Sequence, residues 1–178
     1  MAARRKFWGW GNEDQVVGEE ETVFLARAFA QRFGATLKPP KPAPKVSDFT
    51  LRPSRLTPPA SIVNFCSIDP HERLVHAYGK SFPDYVRMFQ RHVPHPPDVV
   101  AFPESENDVT AVLDWASRKR AAVIPFGGGS SVCGGVECDV GDAYEGVVSL
   151  DMGRMNKVVE IDRTSRAARI QAGVFGPA

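Results

Sequence analysis

Several things are scarce in this chain of 178 residues, and each scarcity removes a class of function. Net charge is only +1, so there is no electrostatic footprint for nucleic acid. No apolar run approaches the roughly 20 residues of a membrane-spanning helix. The N-terminus, Met1-Ala-Ala-Arg-Arg-Lys, is charged but lacks the apolar segment of a secretory signal. Cysteine is limited to Cys66, Cys133 and Cys138, an odd set that reads as free thiols in a reducing compartment. Cys133 and Cys138 stand five apart with no second Cys or His pair beside them, too few ligands for a metal site, so no metal is expected. No lysine lies between Lys119 and Lys157, which excludes a Walker phosphate loop there.

What is present is glycine in one dense cluster. Val123-Ile-Pro-Phe-Gly-Gly-Gly-Ser-Ser-Val132 runs from a β-branched stretch into Gly127, Gly128 and Gly129, then two hydroxyls, Ser130 and Ser131. Glycines let the backbone take positive φ and let another group approach bare amides. Successive N–H groups in such a turn form an anion-binding concavity. The Rossmann fingerprint fails, because the position that needs a third Gly or Ala is Val132. A ligand-free tight turn and a diphosphate cradle both remain open on the glycines alone.

The surrounding pattern supplies context. Residues 4–11 mix cations with Phe7, Trp8 and Trp10; an interfacial anchor is one reading, and a strap packed on the fold is preferred because the segment is short. Residues 19–33 read as a helix with Glu19–Glu21 in its first turn, Gly34 as cap, and a core-facing stripe of Leu25, Phe29 and Phe33 widened by Phe24 and Ala28. The proline-rich residues 38–45 form an extended spacer crossing the surface. Asp69-Pro70 opens a helix through Tyr78, and Ser81 or Pro83 a second with Tyr85, Met88 and Phe89 on its apolar side. Of the four histidines, His71, His76, His92 and His95, none is assigned a catalytic or metal role.

At Pro97 the pattern changes to strand, helix and strand. Asp98–Phe102 is followed by a capping box at Ser105 and Asp108, a helix with Val109, Val112, Leu113 and Ala116 on one face, and a strand over 121–126. This unit predicts a right-handed crossover and a parallel pair, with the glycine loop at a strand's carboxyl end, where such sheets bind ligands. Gly146–Asp151 reads as another strand, and 158–161 and 167–172 as a hairpin about Asp162-Arg-Thr-Ser-Arg166.

Residues 50–178 resemble a known family. The likeness rests on Pro96-Pro97-Asp98-Val-Val-Ala-Phe-Pro103, Ile124-Pro-Phe-Gly-Gly-Gly-Ser-Ser-Val132, Val148-Ser-Leu-Asp151, Met155-Asn156 and Ala172-Gly173-Val174. Together they resemble the FAD-binding domain shared by vanillyl-alcohol oxidase and p-cresol methylhydroxylase (the PCMH type), and within it the alkyldihydroxyacetonephosphate synthases. Pro53-Ser-Arg-Leu56 and His76-Ala-Tyr-Gly-Lys80 are similar to the helical region that precedes the flavin domain in that family. The implied fold class is α+β, with a helical and extended N-terminal region (1–95) and the first α/β part of the FAD-binding domain (96–178), truncated at its end.

The resemblance implies FAD as cofactor, its diphosphate held by Pro125, Phe126, Gly127, Gly128, Gly129, Ser130 and Ser131, with Val132 packed beside it. Ala172, Gly173 and Val174 match a strand next to the flavin. The implied reaction exchanges the acyl group of acyl-dihydroxyacetone phosphate for a fatty alcohol, the flavin acting as an electrophilic trap without net redox change. The alternative is a FAD-linked oxidase or dehydrogenase of a 2-hydroxy acid such as lactate or glycolate. The family's catalytic positions fall beyond residue 178, so no catalytic residue is assigned, and the fragment alone is expected to be inactive. Expected partners are a small-molecule lipid substrate, with a homodimer and peripheral membrane contact as further options. A cytoplasmic location follows from the thiols and from the lack of a peroxisomal address. A non-catalytic interaction module, built on the proline spacer and the aromatic N-terminus, would leave the glycine loop without a role.

Overall fold

The computed structural model describes residues 4–35, 37–38 and 41–176. Met1–Ala3, and Pro39 and Pro40 of the proline spacer, lie outside the described residues. Four strands form the main sheet: β1 (Cys66–Ser67), β2 (Val99–Ala101), β3 (Ala121–Phe126) and β4 (Gly146–Asp151). Their spatial order is β1-β2-β4-β3; β1 is antiparallel to β2, and β2, β4 and β3 run parallel. A two-residue antiparallel edge strand therefore protects one side of a parallel sheet.

The expected parallel pair of β2 and β3 needs correction. The two strands are parallel but do not touch, because β4 lies between them, paired to each. Composition explains the insertion. Every residue of β4 is buried, and Gly-Val-Val-Ser-Leu-Asp, with almost no polar surface to expose, suits a central strand covered on both faces. The connecting helix α4 (Glu106–Arg118) starts as the capping box predicts: Ser105 Oγ accepts from the Asp108 N–H, and the Asp108 carboxylate accepts from the Ser105 N–H. It buries Val112, Trp115 and Ala116 against Val99, Ala101, Val148 and Leu150. Leu113, expected on that face, is exposed, and Trp115 takes the inward position.

A second apolar cluster gathers around Phe126. It contains Leu74 and Val75 of α2 (Pro70–Val75), Met88 of α3 (Phe82–Phe89), Ala77 and Tyr78 between them, and Phe7 from the N-terminal strap. Burying one such side chain is worth about 1.5–3 kcal/mol. The helix expected through Tyr78 ends instead at Val75, capped by His76, so Ala77 and Tyr78 enter the core from non-helical backbone. Ser81 caps α3 in a second capping box.

Two ionic anchors tie the N-terminal half to the sheet. Asp98, fully buried, receives Arg52 and both the side chain and main-chain N–H of Arg55, and also accepts from the Val147 N–H at 2.8 Å. Burial alone would raise its carboxyl, but these donors hold it well below the usual carboxylate range. The second anchor, at Asp151, belongs to the site described below.

Helix α1 (Glu19–Phe33) has the predicted bounds, and Gly34 closes it at φ 60°. Its apolar stripe, expected in the core, is not there: no residue of α1 is buried, and Phe24 and Phe33 are 69% and 70% exposed. The described part of the spacer is extended, but it is not wholly on the surface, since Pro44 is fully buried. β5 (Val158–Asp162) and β6 (Ala167–Ile170) form the predicted antiparallel hairpin, exposed along its length.

Candidate cofactor site

Because β2, β4 and β3 are parallel, their carboxyl ends share one edge, and β3 ends where the glycines begin. Phe126 pairs in register with Asp151 across the sheet. Its ring is buried, while Pro125 before it is exposed on the edge strand, where a missing N–H is tolerated.

The two later glycines serve different ends. Gly129 has φ +67°, and a Cβ there would lie 2.3 Å from the Phe126 ring. Both conformation and space require glycine. Gly128 is exposed with φ outside the left-handed region, so any residue could adopt its backbone. A Cβ there would stand 3.3 Å from the ring of Phe175, which lines the adjoining cavity. Glycine at 128 therefore keeps room for a group to approach. Among the described residues, no amide from Gly127 to Ser131 donates to a main-chain carbonyl.

The cavity measures about 560 Å³. Of the eight residues singled out in the sequence, Phe126, Gly128 and Ser130 line it. Gly127 is half-buried beside them, and a Cβ on it would meet the Ala172 carbonyl at 3.9 Å. Ser131 turns its hydroxyl inward on the loop, accepting from the Gly135 N–H at 2.9 Å. Val132 is 65% exposed. Val174 lines the same cavity, so two segments widely separated in sequence meet at one place.

Several residues escaped sequence reasoning. Arg5, Lys6, Trp10 and Asn12 of the N-terminal strap, with Lys80, line the cavity from outside the loop. The strap closes on itself through the Arg5–Asn12 bridge and the Lys6 N–H to Gly11 carbonyl bond. Phe7 pins it in the core, as the strap reading expects, whereas Trp10 is 59% exposed at the cavity. The mixture of cations and aromatics was the available signal, but nothing in the sequence said where it docked.

Beneath the loop lies a buried pair. His76 Nε2 meets Asp151 Oδ2 at 2.9 Å, and its Nδ1 meets the Glu72 carbonyl at 2.7 Å. Both partners can accept, so each ring nitrogen has a hydrogen-bond partner in reach. Asp151 also takes Arg5 at 3.0 Å and the Gly153 N–H at 2.7 Å. Burial would raise its carboxyl; the His76 hydrogen bond and the Arg5 charge outweigh that and hold it below its ordinary value. The His76 ring packs on Phe126 with centroids 4.2 Å apart. The last side chain of the strand before the glycines is thus held from below.

A glycine turn and an adjoining cavity at the carboxyl edge of parallel strands is where such sheets bind cofactors. Residues 97–178 match the family described as FAD binding domain. Alkyldihydroxyacetonephosphate synthase of Trypanosoma brucei brucei is 36% identical over 110 residues, covering 62% of this chain and 18% of the relative. A solved alkyldihydroxyacetonephosphate synthase structure superimposes with TM-score 0.79 at 26% identity, covering 97% of this chain and 37% of that one. The glycolate oxidase subunit GlcD of Bacillus subtilis is 32% identical over 103 residues, covering 58% of this chain and 19% of the relative. The chain thus spans about a fifth of the length of these curated relatives.

Over residues 97–178 the chain is thus similar to the FAD-binding domain of PCMH-type flavoproteins, which indicates FAD as cofactor. The likeness to the alkyldihydroxyacetonephosphate synthases is one of sequence over 110 residues and of fold over 97% of the chain.

Proposed function

We propose that the protein carrying this chain is an FAD-dependent alkyldihydroxyacetonephosphate synthase, exchanging the acyl group of acyl-dihydroxyacetone phosphate for a fatty alcohol in ether-lipid synthesis. The observation that carries the proposal is the extent of the structural likeness. The match to a synthase covers 97% of the chain, so it includes the strap, the Arg52–Arg55 segment and α2–α3 as well as the flavin domain.

In this reading the loop from Pro125 to Val132 holds the FAD diphosphate. Gly128 leaves the approach free, the amides of Gly127 to Ser131 donate to phosphate oxygens, and the Ser130 hydroxyl adds a further donor from the cavity wall. Phe126, held by His76, fixes where the loop begins. When bound, the flavin supplies the electrophilic centre, while the protein supplies orientation and electrostatics. The lipid substrates make a peripheral membrane contact part of the proposal, together with a cytoplasmic location.

A second reading, oxidation of a 2-hydroxy acid, has the likeness to the glycolate oxidase subunit in its favour. One assay separates the two. The full-length protein is incubated with acyl-dihydroxyacetone phosphate and a long-chain alcohol, and separately with glycolate or lactate and an artificial electron acceptor. Release of fatty acid with formation of the ether product is expected. Acceptor reduction by the hydroxy acid, with no ether product, would replace the proposal by the second reading.

A further inference from the structure

Arg5, Lys6 and Lys80 line the cavity at the glycine loop, and no carboxylate does among the described residues. The three cations are not equivalent. The Lys6 ammonium is engaged by the Gln15 carbonyl and is spent locally. Arg5 is tied to Asp151 through Nη1 at 3.0 Å, and its other guanidinium nitrogens make no hydrogen bond among the described residues. Lys80 is fixed to the loop itself, since its main-chain N–H donates to the Ser131 carbonyl at 2.7 Å. Its ammonium donates only to the Lys6 carbonyl, at 3.3 Å, and forms no ion pair among the described residues.

Keeping Lys80 there has a cost. Burial first, and the nearby Arg5 charge second, push its ammonium down to about 8. Two cations lining one cavity, each within reach of the other's charge, suit a ligand that brings more than one negative charge. The neutral amides of the glycine loop can orient a diphosphate but cannot neutralise it; a guanidinium and an ammonium can.

We infer that the N-terminal strap and Lys80 form a second wall of the cofactor site, on which Arg5 and Lys80 contact the FAD diphosphate. The inference rests on the reading that the glycine loop holds that diphosphate. It gives a ligand-binding role to the strap, a segment outside the matched residues 97–178.

The test is an FAD titration of the deflavinated full-length protein, followed by flavin fluorescence at low and high salt. The proteins compared are wild type, Lys80→Gln, Lys80→Arg, Arg5→Gln and Gly128→Val. Lys80→Gln is expected to weaken FAD binding about tenfold or more, the loss of one charge-assisted contact, and to flatten its salt dependence. Lys80→Arg should restore most of the affinity. Arg5→Gln should behave like Lys80→Gln, with far-UV circular dichroism to confirm folding because Arg5 also holds Asp151.

Unchanged affinity and salt dependence in both glutamine variants, with FAD lost in Gly128→Val, would overturn the inference and leave the loop reading standing. Normal FAD binding in Gly128→Val would remove the loop reading and the inference with it. If the glutamine variants keep FAD affinity but need far more acyl-dihydroxyacetone phosphate for half-maximal turnover, the wall serves a substrate phosphate, and the inference is likewise overturned.

Discussion

His76 and Asp151 meet at 2.9 Å beneath the glycine loop, although 75 positions separate them in the chain. One comes from the C-cap of α2 and the other from the last position of β4, so their contact joins the N-terminal half to the carboxyl edge of the sheet. Removing one member of a buried pair leaves the other uncompensated and costs about 3–5 kcal/mol. Asp151→Asn should lower stability toward the smaller end of that range, because Arg5 is partly solvated and can find water. Urea unfolding gives the number; a loss under about 1 kcal/mol would show the pair to be incidental.

Asp98 makes the pH dependence predictable. Its folded-state carboxyl is held below the unfolded value of about 3.9. The stabilisation is therefore complete above that value and lost as pH falls below about 4, where only the unfolded chain gains a proton at first. Urea midpoints measured from pH 6 to pH 3 should drop steeply in the wild type. Asp98→Asn should be less stable at pH 6 and show a flatter profile. Parallel profiles would remove Asp98 from the account.

The glycines predict two different phenotypes. Gly129→Ala places a Cβ on the Phe126 ring at positive φ and should destabilise the fold by more than about 1 kcal/mol. Gly128→Ala has no conformational penalty and should unfold close to wild type while holding FAD more weakly. Thermal melts alongside flavin retention separate the two effects, and identical behaviour of both variants would contradict the assignment.

Burial pushes the Cys66 thiol up to about 11 and the Cys138 thiol up to about 12, whereas Cys133 is exposed beside the loop. The thiolate is the reactive form, so iodoacetamide at pH 8 should label Cys133 first. Peptide mass mapping after a short exposure checks the order. Early labelling of Cys138 would mean that its segment opens readily.

Much of this was legible in the chain because it is written locally. The capping boxes at Ser81 and Ser105, the strand from Ala121 to Phe126 running into glycine, and the hairpin about Asp162–Arg166 depend on neighbours a few residues apart. What depended on distant partners was not legible. The insertion of β4 between β2 and β3 is a matter of which strand is apolar on both faces. The α1 stripe has helical spacing with nothing among the described residues to bury it, and spacing cannot tell a core from an uncovered face. The docking of Arg5 beside Lys80, and of His76 on Asp151, required the tertiary fold.

The central claim is that the glycine loop holds FAD, and flavin content tests it most directly. The full-length protein and its Gly128→Val variant are purified side by side, and their visible spectra recorded before and after denaturation releases the flavin. The account predicts a yellow wild type with the bands of oxidised flavin, and a folded variant that is colourless and fails to take up added FAD. A variant that carries as much flavin as the wild type would contradict it.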